Sequence, residues 1–140
     1  MIARLLSSLL LLASAASAAP VQESWVPVRL SSLQYPLLGL QARLQGIVLL
    51  RIRIGSTGMV TGVEILRGNP VLAAAASENI KTWKFRTLCK DHANSGAPAA
   101  IDFRYDFKLE GVVQSNPKTD FEFEYPNEVR VKSSALHWLP

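Results

Sequence analysis

Ile101-Asp102-Phe103-Arg104-Tyr105-Asp106-Phe107-Lys108 sets apolar and charged residues in strict alternation. Successive side chains on a strand point to opposite faces, so this stretch has one apolar face and one charged face. Such a strand does not stand alone. Its backbone groups need neighbouring strands, and Ile101, Phe103, Tyr105 and Phe107 need a covering layer. The rest of the chain has to supply both.

Ile47–Ile54 supplies a neighbour. Val48, Leu50, Ile52 and Ile54 share one side, and Leu49, Arg51 and Arg53 the other. Gly55-Ser56-Thr57-Gly58 reads as a turn, and Met59–Leu66 as the returning arm of a hairpin, with Val60 or Val63 and Ile65 as its core residues. Phe121–Tyr125 and Val129–Lys132 alternate more briefly on either side of Pro126-Asn127. The covering layer comes from two helices. Asn69 suits an N-cap and Pro70 the first helical position. From there a helix is expected to run to about Trp83, with Leu72, Ala76, Ile80 and Trp83 as its apolar stripe. The Ala73–Ala76 run favours helix and lets it lie close on a sheet. A shorter helix of two to three turns is expected from Pro36 to a left-handed end at Gly46. Leu37, Leu40 and Leu44 fall on one of its faces, and Gly39 weakens it. Trp83-Lys84-Phe85 leaves the second helix, residues 87–99 and 110–119 read as loops, and Val26–Leu30 is too short to assign. The expected fold class is α+β: a small antiparallel sheet with two helices packed on one face, plus an extra C-terminal β-hairpin.

The first residues read differently. A basic start at Arg4, an apolar run from Leu5 to Leu12 and Ala16-Ser17-Ala18 match a cleaved secretory signal over residues 1–18. The run is too short and too rich in Ser for a spanning helix of roughly 20 apolar residues. Of 140 residues, 15 are Lys or Arg and 11 Asp or Glu; losing Arg4 leaves 14 against 11, a net of +3. The basic residues are scattered, without the run that marks a nucleic-acid partner. One cysteine, Cys89, cannot close a disulfide within the chain, so the fold rests on its core. His92 stands beside Asp91 and near Cys89, but two candidate ligands do not make a closed zinc site. Glu122 and Glu124 share an outward strand face, which reads as solvated rather than as an acid–base pair. No phosphate loop or nucleophile–base pattern is present. The expectation is a non-enzyme with no metal and no cofactor.

The ordered motifs resemble the C-terminal domain of the TonB energy-transducer family. The resemblance rests on Tyr35-Pro36, Gly39, Gly46 and the alternation at Val48, Leu50 and Ile52. It continues through Gly58, Val63, Ile65, Gly68, Pro70, Leu72, Ala75-Ala76 and Trp83-x-Phe85 to the closing strand Ile101–Phe107. The family usually has Ala where Gly39 stands, and Pro where Thr87 stands. Residues 35–110 are thus expected to form the TonB-like domain, with an irregular lead-in at 19–34 and an extension at 111–140. Only that lead-in separates the signal from the domain, so the resemblance implies a periplasmic binding module rather than a force-transmitting transducer. It implies docking by strand addition on the edge of the closing strand, Ile101, Asp102, Phe103, Arg104, Tyr105, Asp106 and Phe107. The implied partner is the periplasmic segment of an outer-membrane receptor or another envelope protein. The other reading is a structural envelope protein that dimerises or binds peptidoglycan. The hairpin at 121–132 is a candidate cover for the docking edge; if it is one, deleting residues 111–140 raises peptide affinity.

Overall fold

Residues 25–88 and 99–137 are described by the computed structural model. The expected signal at 1–18, Cys89 and His92 lie outside these residues. The alternating segments all become strands: β2 (Gly46–Ile54), β3 (Val60–Arg67), β5 (Ala99–Leu109), β6 (Thr119–Glu124) and β7 (Glu128–Ser133). They form one sheet in the order β3-β2-β5-β7-β6. β2 pairs antiparallel with β3 and with β5. β7 pairs parallel with β5 and antiparallel with β6. The sheet is therefore mixed where a wholly antiparallel one was expected. After β5 the chain runs back two places out as β6. The turn at 125–127 then brings β7 up between the two.

One face of this sheet carries the core. Val48, Leu50, Ile52 and Ile54 of β2, Ile101, Phe103, Tyr105 and Phe107 of β5, and Val129 and Val131 of β7 are all buried. The helix α2 (Pro70–Ile80) lies over them, burying Leu72, Ala73, Ala76 and Ile80. Its N-cap is Asn69, whose side chain accepts the Val71 N–H at 2.9 Å. The helix stops at Ile80, so Trp83 sits beyond it, fully buried among aromatic rings. Phe85, Phe103, Phe121 and Phe123 surround its indole at centroid distances of 6.2, 5.7, 6.3 and 5.6 Å.

Two short strands escaped the sequence reading. β1 (Trp25–Arg29) and β4 (Lys84–Thr87) form a separate antiparallel pair. The register slips between Pro27 and Arg29, where Pro27 has no N–H to give the ladder. The first helix is also shorter than expected: α1 covers only Leu37–Gln41. Arg43 takes a left-handed φ of 52°, so the chain turns out of the helix before Gly46. Leu40 is buried and Leu44 half-buried, but Leu37 is 62% exposed and does not belong to the packed stripe. Tertiary contacts explain the early exit. The Tyr35 ring meets Phe107 edge-on at 5.5 Å, and its hydroxyl donates to the Leu44 carbonyl. Tyr35 thereby pins both ends of the segment to the sheet.

A small polar network ties the layers together. The Tyr105 hydroxyl donates to Asn79 Oδ1 at 2.9 Å, and Asn79 Nδ2 donates to the Ser31 carbonyl at 2.9 Å. Tyr105→Phe removes the donor and leaves Asn79 Oδ1 in the core without it. The expected loss is about 1–2 kcal/mol, read as a lower urea midpoint at unchanged slope. The same burial raises the Tyr105 hydroxyl well above the ordinary phenol range and pushes Tyr35 up to about 12. Each phenol is more acidic in the unfolded chain, where its pKa is about 10. This stabilisation is complete below pH 10 and is lost as the pH rises from there through the folded value. Melting temperatures measured across that range should fall above pH 10, and Tyr105→Phe should flatten the fall.

Candidate docking edges

A sheet offers a partner its edges, where N–H and C=O groups lack a neighbour, and its uncovered face. Three strands are therefore relevant: β5, where the docking edge was expected, and β3 and β6, which end the sheet.

The structure places Ile101–Phe107 in the interior of the sheet. On one side Ala99–Phe107 pair with Ile54–Gly46. On the other, Arg104–Leu109 pair with Glu128–Ser133. Ahead of that ladder the Arg104 N–H donates to the Asn127 carbonyl at 3.0 Å, and Asn127 Nδ2 donates to the Asp102 carbonyl at 2.8 Å. Ile101, Phe103, Tyr105 and Phe107 face the core, while Asp102, Arg104 and Asp106 lie on the open face. The hairpin is held by more than this ladder. Burial of Val129 and Val131 together stabilises by ~3–6 kcal/mol, at 1.5–3 kcal/mol for each side chain. On that term alone, a spontaneously released hairpin amounts to roughly one molecule in 10² to 10⁴.

Among the described residues the open face has no second layer. Arg51 makes a two-pronged pair with Asp102, at 2.8 and 3.1 Å, which with the nearby Glu64 carboxylate holds the guanidinium more firmly protonated. Lys108 reaches Asp106 at 3.8 Å. Arg130 pairs with Glu124, with Glu128 at 3.6 Å and with Glu122 at 3.9 Å. Lys132 reaches Glu110 at 3.5 Å. These exposed pairs are worth little individually. Their chemistry is that of a solvated face.

The two open edges differ. β3 exposes Ile65 and Leu66, at 50% and 39%, and carries Glu64 and Arg67. β6 sets Phe121 and Phe123 beside Trp83 and turns Asp120, Glu122 and Glu124 to the open face. Among the described residues, the backbone of β6 bonds only to β7, while the Tyr35 N–H donates to the Thr119 side chain at 2.9 Å. The alternation at 121–125 was a readable signal for this strand, though not for its place in the sheet. The motif residues serve the scaffold: Tyr35, Trp83 and Phe85 are buried, Pro36 caps α1, and Gly46 and Gly58 adopt positive φ.

Among the described residues no group of three or more His, Cys, Asp or Glu could hold a metal ion. No described helix is long and apolar enough to cross a membrane.

A family model of the Gram-negative bacterial TonB protein C-terminal region matches residues 31–109, running from the lead-in through β5 and ending before β6. The solution NMR structure of the Pseudomonas aeruginosa TonB C-terminal domain is similar to this chain, with 23% identity and a TM-score of 0.47. The similarity covers 64% of this chain and 90% of that one. No curated protein matches the chain.

Proposed function

We infer that this chain, which belongs to the family of Gram-negative TonB C-terminal domains, is a non-enzymatic binding module that adds a partner's extended segment to its sheet. The observation that carries the reading is a small sheet whose two end strands have, among the described residues, no outer neighbour, in a domain of this family. An added strand gains main-chain hydrogen bonds, and alternate side-chain positions read the sequence of the partner. The proposed setting is the periplasm, reached through the signal at residues 1–18. The proposed partner is the periplasmic segment of an outer-membrane transporter. The expected edge, Ile101–Phe107, accepts such a segment only if β7 leaves it.

Residues 19–140 used as bait on a detergent-solubilised envelope should recover an outer-membrane transporter. Recovery of only the same chain would favour a dimeric structural protein, a reading that exposed Ile65 and Leu66 on the β3 edge also support. Co-sedimentation with peptidoglycan sacculi, without a transporter, would replace docking with a cell-wall role.

A further inference from the structure

We propose that β6, rather than β5, is the edge that accepts the partner strand, and that the accepted strand alternates Lys or Arg with apolar residues. This deepens the strand-addition reading and rests on it. β7 already fills the far side of β5 along Arg104–Leu109, and Asn127 closes the positions ahead of it. With Val129 and Val131 fully buried, the hairpin is part of the core rather than a loose cover. The side of the sheet that would carry the docking edge therefore ends two strands further out. At that end, among the described residues, Asp120–Glu124 have a backbone partner only in β7.

The side chains of β6 specify what fits beside them. Phe121 and Phe123 are half-buried against Trp83, so apolar residues of an added strand would extend the aromatic cluster on that face. Asp120, Glu122 and Glu124 lie on the opposite face, where cross-strand neighbours meet directly. Their cations are already shared. Arg130 serves Glu122, Glu124 and Glu128, and Lys132, opposite Asp120, reaches Glu110. An acidic segment would set like charges opposite one another, whereas a basic one adds cations to carboxylates that share a single arginine. The β3 edge presents Glu64 and Arg67 together and has no such bias.

The test titrates the purified exported chain with a synthetic peptide alternating Lys and Val, of about the length of one strand, followed by amide NMR shifts. Binding should be saturable, with the largest shifts at residues 119–124. Glu122→Lys should weaken it at least about tenfold, and Glu64→Lys on β3 by less than about twofold. A peptide with the same residues in two blocks, and one with Glu in place of Lys, should each bind at least about tenfold more weakly. Should Glu122→Lys lose its folded circular dichroism, Glu122→Gln is the second variant, expected to weaken binding about threefold. Absent binding, equal binding of the block peptide, insensitivity to both Glu122 variants, or shifts centred on β3 or β5 would each overturn the β6 assignment. Capture of a transporter from the envelope by a folded Glu122→Lys chain would also overturn it, while leaving the docking reading intact.

Discussion

Truncation after Glu110 should lower the melting temperature by about 20 °C or more, leaving a chain at the margin of folding. The loss has two parts. Val129 and Val131, both fully buried, contribute ~3–6 kcal/mol. The contacts of Phe121 and Phe123 with Trp83 add ~0.5–1.5 kcal/mol each. Whole domains are stable by only about 5–15 kcal/mol, and each kcal/mol moves the melting point of a small domain by about 4–8 °C. Truncation also strips the far side of β5, opening its backbone along Arg104–Leu109 to water. Melting followed by circular dichroism checks the expectation, and peptide titration of the same chain checks its meaning. A truncated chain that melts within a few degrees of its parent and binds peptide more tightly would make the hairpin a detachable cover over Ile101–Phe107.

Gly58→Ala should cost about 3 kcal/mol or more, through backbone rather than side-chain packing. Gly58 holds a φ of 83°, where a residue with a Cβ is penalised by roughly 1–2 kcal/mol. The larger difficulty is space. A Cβ there would lie 2.0 Å from the Phe85 carbonyl oxygen and 3.1 Å from its carbon, both main-chain atoms of β4. Relieving that overlap pulls the β2–β3 turn away from β4 and strains the hydrogen bond from the Phe85 N–H to the Gly58 carbonyl, 2.8 Å long. Losing the bond costs about 1 kcal/mol more. Gly62→Ala is the control: its added methyl meets only Arg53 Cδ, at 3.9 Å, and stability should change by less than about 1 kcal/mol. Urea unfolding of the two variants side by side would decide the matter, and equal midpoints would sink the argument.

The Gly58 contact also marks how far the sequence could be read. The two glycines that bracket Ser56-Thr57 announce a hairpin, and the hairpin between β2 and β3 formed as expected. That one of them must let β4 pass at backbone distance is a fact about a segment 27 residues further along the chain. The β1–β4 pair was illegible for a related reason. Five and four residues are too short for a periodic signal, and their partner choice is set by where Trp83 and Phe85 come to rest. Local chemistry placed the start of α2 correctly, through Asn69 and Pro70, but carried the helix on to Trp83, three residues past its end at Ile80. It overestimated α1, because no propensity argument contains the Tyr35–Phe107 contact that turns the chain out early.

The docking edge divides along the same line. Alternation is a property of neighbouring residues: it set Phe103, Tyr105 and Phe107 on one face and Asp102, Arg104 and Asp106 on the other, and the structure agrees. Val129 and Val131, in a segment that alternates the same way, are buried too. Which strand ends the sheet is a different kind of question. β5 offers one free side after pairing with β2, and β6 and β7 compete for it with the same local pattern. The three-residue turn and the burial of two valines in the core place β7 inside and β6 outside. A period of two says which way a side chain faces; only burial, summed across segments distant in the chain, says which backbone is left open to a partner.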